Sequence, residues 1–181
     1  MRRKIVQPAD LSGDALTEFK QWLGISRQAE DANLLALLEA SLATCEAFIG
    51  QAPLEQTVEE IIHAEVGESR LSSRPVRMLI NFDGIDGKGN RDSLVDELEN
   101  IVIDADGSAV VTIRTDTDHS AYAVTMIAGL AQDWASVESP LRQGIIRLAA
   151  HYYRDRDLES SEQPPASVAA LWRPWRVLRL A

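Results

Sequence analysis

The sequence predicts an α+β fold with a three-helix core, an antiparallel β insertion and an extended C-terminal arm. Apolar residues recur at helical spacing in residues 1–55 and again in residues 132–163. Between them, residues 56–131 carry short strand-like runs separated by turn residues. Residues 164–181 combine prolines with tryptophans and arginines and contain no acidic residue. We therefore expect two N-terminal helices, a β insertion, a long helix that completes the helical core, and a separate arm.

The N-terminal part contains two helical patterns after a short apolar segment. Residues 4–7 fit a short strand or an extended arm, and a first helix runs from Asp14 to about Leu23. Ser26 is a candidate N-cap for a second helix that reaches about Ile49. The expected buried stripe of that helix is Leu34, Leu38, Leu42 (or Leu35), Cys45 and Ile49. Two helices joined by so short a loop are expected to pack as an antiparallel hairpin.

The middle of the chain changes to a strand period. The runs are TVEEIIHAEV, PVRMLINF, LENIVID, AVVTIRT and AYAVTMIA. The Asp-Gly pair in the turn between LENIVID and AVVTIRT suits a tight hairpin, because it tolerates a positive φ. Residues 56–128 therefore predict an antiparallel sheet of four or five strands.

A third helix is predicted to begin at Ser139 and Pro140, since proline at the first helical position has no amide to leave unsatisfied. Its apolar positions continue to about Asp157 and indicate packing on the first two helices. Residues 158–163 are polar and predict a hinge, and Pro164 with Pro165 predicts a stiff start to the arm.

The composition is typical of a soluble globular protein. The chain has 181 residues, of which 45% are hydrophobic and 25% charged, with a formal net charge of −10. That charge disfavours a protein that coats DNA through a basic face. No uninterrupted apolar run reaches the roughly 20 residues that a membrane span needs, so we expect no membrane partner. The single cysteine, Cys45, suits a reducing cytoplasm and excludes an internal disulfide.

Two segments resemble ligand-binding motifs. The loop Asp83–Asn90 fails the EF-hand pattern, because Ile85 stands at a ligand position, and it also lacks the serine or threonine of a P-loop. The sequence therefore favours a hairpin loop there. Asp116, Asp118 and His119 are the best metal-like group, but no fourth ligand is nearby. A solvated loop is the favoured interpretation, and a small metal-dependent hydrolase is the alternative.

The remaining polar groups do not form a catalytic pattern. His151 and Asp155 are helical neighbours that could form a hydrogen-bonded pair, but Cys45 lies on an apolar stripe where an inert thiol is expected. We therefore predict no enzyme, no metal and no cofactor. The alternating charges from Arg154 to Asp157 fit either a solvated helix end or a polar interface between subunits.

The C-terminal stretch has the composition of a binding hot spot, in which tryptophan and arginine are enriched. It carries a charge of +3, so the other 163 residues carry −13. The alternative is a terminal strand that folds back to fill a gap in its own core. The candidate docking residues are Leu171, Trp172, Arg173, Trp175, Arg176, Val177, Leu178, Arg179 and Leu180.

The order of these elements resembles a known family. The chain opens with a helix pair of the form LxxFKxWLGI…EDxxLxxLLEASxxxCExFIG over residues 16–50. AVTMIAGLA follows at 123–131, SPLRQGIIRLAAHYYRDRD at 139–157 and PPASVAALWRPWRVLRL at 164–180. Together these are similar to the head–tail connector (adaptor) family of tailed bacteriophages and gene transfer agents. The likeness covers nearly the whole chain and is weakest in the β insertion.

The resemblance implies a structural protein of the particle neck, made in the bacterial cytoplasm. Family members form a homo-oligomeric ring, typically of twelve subunits, beneath the portal protein and above the next neck or tail component (the stopper). DNA passes through the lumen without sequence-specific binding. The resemblance also implies that the C-terminal segment reaches the portal, with tryptophans and leucines in portal pockets and arginines on portal carboxylates. A transient packaging or assembly factor is the alternative.

Overall fold

The computed structural model describes residues 2–94, 100–113, 118–154 and 163–177. The chain divides into two compact units. The β unit comprises Met1–Ala9 and Glu55–Leu130, and the helical unit comprises Asp10–Leu54 and Ala131–Ala181. The helical unit is thus assembled from chain segments on both sides of the β segment. Residues 1–9, which the sequence pattern assigned to the helical part, belong instead to the β unit.

The helical unit contains four helices in its described residues rather than the three that were predicted. They are α1 (Asp14–Leu23), α2 (Asp31–Ile49), α3 (Ser139–Arg154) and α4 (Ala166–Trp172). A 3-10 turn at Trp134–Ser136 precedes α3, and another at Arg173–Trp175 follows α4. Residues 155–162 lie outside the described residues, and so does most of the hinge that was predicted at 158–163.

The prediction of an extended arm from Pro164 is wrong over residues 166–175. Val168 and Trp172 are one helical turn apart and both are buried, so this stretch forms a helix with an apolar face. Pro165 sits at the N-cap position of α4 in an extended conformation. The two prolines therefore start a helix here instead of extending the chain.

Helix α2 buries a stripe of residues at steps of three and four. The fully buried positions are Leu34, Leu38, Ser41, Cys45 and Ile49. Ser41 takes the place on the stripe that was predicted for Leu42 or Leu35, both of which are half-buried. Its hydroxyl donates to the carbonyl of Leu37 at 2.8 Å, so the buried oxygen is satisfied within the helix.

The start and end of α2 are also defined locally. The helix begins at Asp31 and not near Ser26, and Lys20 at the end of α1 donates to the Asp31 carboxylate at 2.6 Å. Gly50 ends the helix in the left-handed conformation, with φ of 76°. The ion pair ties together the ends of the predicted α1–α2 hairpin.

Helix α2, with 19 residues, is long and apolar enough to cross a membrane by length and composition alone. Its apolar residues do not form an uninterrupted run of that length, because Glu39 and Glu46 stand among them. Core helices of globular proteins meet the same criterion. Within the helical unit, α2 packs against α1, α3 and α4.

The β unit contains eight strands in two antiparallel sheets among the described residues. Seven of them lie within residues 56–128, where four or five were predicted. The eight strands are β1 (Arg2–Gln7), β2 (Gln56–His63), β3 (Gly67–Arg70), β4 (Val76–Ile85), β5 (Arg91–Ser93), β6 (Ile101–Ile103), β7 (Ala109–Ile113) and β8 (Ala121–Ala128). The larger sheet has the order β1-β2-β8-β4-β5, and the smaller has the order β3-β7-β6. The segment 4–7 is thus a strand, with Lys4 opposite Glu59 of β2.

The core of the β unit contains residues from both sheets. Strand β2 alternates between buried and partly exposed positions, as a strand with one covered face should. Phe82 and Tyr122 stack with ring centroids 5.2 Å apart, and the same cluster includes Val111 and Ile101 of the smaller sheet.

A carboxylate is buried in the β unit at a position where the strand period calls for an apolar residue. The Glu60 side chain is 0% exposed. Its oxygens accept hydrogen bonds from the Ser72 amide at 2.8 Å, the Ser72 hydroxyl at 2.9 Å and the Ser73 amide at 2.6 Å. These donors offset the desolvation of the charge and fix the segment between β3 and β4 against β2.

We predict that Glu60→Gln destabilises the β unit. The amide would point a donor at serine donors, so the free energy of unfolding should fall by about 1–3 kcal/mol. All four tryptophans, at positions 22, 134, 172 and 175, belong to the helical unit. Far-UV circular dichroism in urea should therefore record the loss. Exposed Glu65→Gln is the matched control and should change stability by less than about 0.5 kcal/mol. Equal stability of the two variants would contradict the role assigned to Glu60.

Candidate partner-docking site

The C-terminal segment is fastened to the helical unit through Trp172. This residue is 0% exposed, and its indole lies in a gap on α3 left by Gly144, where a Cβ atom would overlap the indole nitrogen. The Trp172 Nε1 donates to the Leu141 carbonyl at 3.3 Å, and its ring centroid is 5.9 Å from that of Phe48. Trp172 is thus inside its own unit and not on a surface, which corrects its assignment as a partner-docking side chain.

The chain after α4 is held against the C-terminal end of α2. Gln51 Nε2 donates to the Trp175 carbonyl at 2.7 Å, and the Val177 amide donates to the Ile49 carbonyl at 2.9 Å. The second bond satisfies one of the carbonyls that the end of a helix leaves unpaired. The Arg176 guanidinium lies 5.4 Å from the centroid of the Phe48 ring, in a cation–π arrangement.

Part of the predicted docking set is accessible in this arrangement. Arg173 and Arg176 are exposed, while Leu171, Trp175 and Val177 are half-buried. Leu178, Arg179 and Leu180 lie outside the described residues. We refer to Arg173, Trp175, Arg176 and Val177 as the C-terminal patch. It combines two cations with partly accessible apolar surface, and no acidic residue occurs in residues 163–177.

A cavity of about 340 Å³ adjoins this patch within the helical unit. Its lining is formed by Thr44, Ala47, Phe48, Gln163, Pro164, Ala169 and Arg176. The volume is at the lower end of the range for small-ligand sites and suits one or two apolar side chains of a partner. Arg176 is placed to pair with a carboxylate beside such a side chain.

The metal-like group of the sequence is not assembled in the described residues. Asp116 lies outside them, and the His119 ring packs against Gly84 and Tyr122, with its Nε2 3.7 Å from Asp92 Oδ2. In the described part of the chain, no group of three or more His, Cys, Asp or Glu side chains could hold a metal ion.

The loop Asp83–Asn90 belongs to the β4–β5 hairpin, which confirms the hairpin interpretation. The Asp86 carboxylate accepts hydrogen bonds from the amides of Lys88 and Asn90 and from the Asn90 side chain, at 2.7–2.8 Å. These bonds, first of all those from Asn90, lower the pKa of Asp86. The carboxylate thus stabilises the turn itself.

The other sequence candidates lie apart from the C-terminal patch or outside the described residues. Burial raises the pKa of the Cys45 thiol well above its ordinary value, with a smaller contribution from Glu46. His151 is exposed on α3, and its proposed partner Asp155 lies outside the described residues. Arg154 is exposed, and Asp155–Asp157 are not described, so both interpretations of that run stay open.

Gly144 is the position that pattern reasoning missed, although the sequence carries a signal for it. A glycine inside a helix costs about 1 kcal/mol relative to alanine. Its occurrence in the middle of RQGIIR therefore indicates that something packs closely there. The C-terminal half contains six large aromatic residues, and pattern alone does not show which of them fills such a gap.

We predict that Gly144→Ala destabilises the helical unit by about 1–3 kcal/mol, despite the better helix propensity of alanine. The added methyl group would displace the Trp172 indole. Tryptophan fluorescence in urea measures the change. The penalty should shrink in a Trp172→Phe background, where the indole nitrogen is gone; an unchanged penalty there would contradict the packing of these two residues.

We also predict that Cys45 reacts slowly with a thiol reagent at pH 8 in the native protein. Its thiolate is disfavoured by burial, and the reagent reaches sulfur only when the helical unit opens. An opening free energy of about 3 kcal/mol slows the reaction roughly a hundredfold relative to the unfolded chain. Equal rates in native and urea-unfolded protein would place Cys45 on the surface.

Comparison with known proteins gives similarity at the level of the fold. No protein-family model matches the chain, and no curated protein sequence matches it. A chain in the neck of an empty gene transfer agent particle, computed with C6 symmetry, superposes with a TM-score of 0.79 and 21% identity. A chain in the virion of a native gene transfer agent particle gives 0.78 and 22%, and one in the neck of a native particle, computed with C12 symmetry, gives 0.79 and 20%. Each alignment covers 100% of this chain and 98% of the other, so the chain has the fold of these components over its whole length.

Proposed function

We propose that this protein is a non-enzymatic structural component of the neck of a phage or phage-like particle. In this role it is an adaptor that forms a ring under the portal and joins the DNA-filled head to the tail. The observation that carries the proposal is the full-length fold similarity to chains in gene transfer agent particles, with TM-scores of 0.78–0.79. A match of that length includes both units and the C-terminal helix, so it involves the whole architecture.

The proposed assembly is a homo-oligomeric ring, and a dodecamer suits it best. The similar necks were computed with C6 and with C12 symmetry, and twelve copies satisfy both. Each copy carries a formal charge of −10. A ring of such subunits presents a negative lumen that repels phosphate, so the duplex would pass without adhering. No cofactor takes part in this function.

In the proposed mechanism the C-terminal patch contacts the portal. Arg173 and Arg176 pair with portal carboxylates, and an apolar portal side chain enters the cavity beside Phe48. Leu178, Arg179 and Leu180 follow the patch in sequence and extend the proposed contact. Trp172 takes part indirectly, because it holds the segment on which the patch is carried.

The function is tested on purified particles from cells that produce this protein. We expect it in finished particles in a fixed ratio to the portal, and class averages of the neck should show a ring of matching symmetry. Loss of the protein before maturation would contradict the adaptor role and favour a transient packaging or assembly factor. The next neck component, the stopper, should co-purify with the particles, and the class averages should place it on the side of the ring away from the portal.

We predict that Arg173→Ala and Arg176→Ala weaken binding to purified portal rings by about tenfold each, because both guanidinium groups are exposed and free to reach carboxylates. The thermal midpoint should stay nearly unchanged, apart from the small loss of the Arg176–Phe48 contact. Exposed Arg147→Ala on α3 is the matched control and should bind like the wild type. If Arg147→Ala weakened binding as much, the contact would be generally electrostatic and not specific to the patch.

A further inference from the structure

Two of the edge strands in the β unit, β1 and β3, differ in chemical character. Strand β1 is the first strand of the larger sheet and pairs only with β2 among the described strands. Strand β3 is the first strand of the smaller sheet and pairs only with β7 in that set. The open side of such a strand presents backbone amides and carbonyls that another strand can pair with.

The open edge of β1 is basic and apolar. All six of its residues are exposed, and three consecutive ones, Arg2, Arg3 and Lys4, are cations. Ile5 and Val6 follow with 47% and 53% of their surface exposed. Cations on an edge strand discourage pairing with a like edge, but exposed isoleucine and valine do not protect an edge.

The edge at β3 has the complementary pattern. Glu65 and Val66 directly precede β3, and Gly67 and Glu68 are its first two residues. All four are exposed, and Val66 is 63% exposed, the highest value among the large exposed hydrophobic residues. The segment therefore offers two carboxylates on either side of an exposed valine. Its carboxylates and valine are complementary to the cations and apolar side chains of β1, and the exposed cation of β3, Arg70, lies at the other end of the strand.

We propose that β1 of one copy pairs antiparallel with residues 65–68 of a second copy. In the proposed register Arg3 faces Glu68 and Ile5 faces Val66, which gives one opposite-charge pair and one apolar pair. Cross-strand pairs of both kinds stabilise antiparallel sheets. Lys4 then faces Gly67, with Glu65 as its diagonal neighbour.

We assign the partner strand to a second copy of this chain, because both complementary edges occur on the same chain. Self-pairing of two β1 strands would bring two runs of three cations together, which repel. Pairing of β1 with the β3 edge uses different surfaces on the two partners. Contacts of that kind run head to tail and form a ring when the rotation between neighbouring copies closes. The inference rests on the proposed ring and names the strand contact that would join neighbouring subunits in it.

Cysteine cross-linking tests the register directly, since Cys45 is the chain's single cysteine. In a Cys45→Ser background, Ile5→Cys with Val66→Cys should give a ladder of disulfide-linked oligomers on oxidation. Facing residues of adjacent antiparallel strands lie close enough for a disulfide after small adjustments. Neither single variant should pass beyond a monomer. The matched control is Ile5→Cys with Val102→Cys, since Val102 is a 56% exposed residue on the edge strand β6.

Charge exchange provides the second measurement. Arg3→Glu and Glu68→Arg should each reduce the ladder several-fold, and the two together should restore it. Circular dichroism verifies that each variant is folded. Three outcomes overturn the pairing: no ladder, dimers from Ile5→Cys alone, or equal cross-linking to Val102→Cys.

The outcome is separable from that of the proposed function. A protein found in the particle neck that gives no ladder would refute the strand contact alone. A ladder from a protein absent from particles would refute the neck role and leave the contact in place.

Discussion

The packing of Trp172 into the gap at Gly144 is the constraint on which the C-terminal part of the structure depends. A buried tryptophan removes about 150–250 Å² from water, which stabilises by about 4–6 kcal/mol as an upper value. The glycine that makes room for it costs about 1 kcal/mol in helix propensity. The stabilisation from burying Trp172 is larger than the helix-propensity cost of Gly144, so α4 is fixed on α3. The position of the chain that follows α4 is thereby fixed as well.

This constraint changes how the C-terminal patch could bind. An extended arm would have to be ordered on contact, at about 1–2 kcal/mol for each residue fixed. In the structure, Gln51 and Ile49 already hold the backbone at Trp175 and Val177. Arg173 and Arg176 therefore start from an ordered backbone, and a partner gains more of the contact energy as affinity. The tryptophan that looked most like an anchor serves the patch from inside the fold.

Local patterns predicted the elements well and their partners less well. Helices α1 to α3 and most strands follow from apolar spacing, because burial of one face imposes a period. The membership of β1 in the β unit depends on pairing with β2 more than fifty residues away, which no local pattern contains. Glu60 and Ser41 occupy buried positions because specific donors and acceptors satisfy them, and those partners are visible only in three dimensions. At the candidate site, composition indicated Arg173 and Arg176 as docking residues, and both are exposed. The helical spacing of Val168 and Trp172 was missed, because the two prolines before them were interpreted as the start of an extended arm.

The basic residues of β1 and of the C-terminal patch would reduce the electrostatic repulsion that the negative net charge produces between copies. Copies that each carry −10 repel one another, and a ring requires that repulsion to be overcome at every contact. The three cations on β1 would offset this repulsion between copies, because they would face the carboxylates at the β3 edge. Arg173 and Arg176 would offset it at a contact with an acidic partner. Both contacts are electrostatic and short in range, since the Debye length is about 8 Å at physiological salt. In the proposed ring, the acidic remainder of the surface would keep DNA from adhering, so the negative net charge and the few localised cations would serve the same assembly.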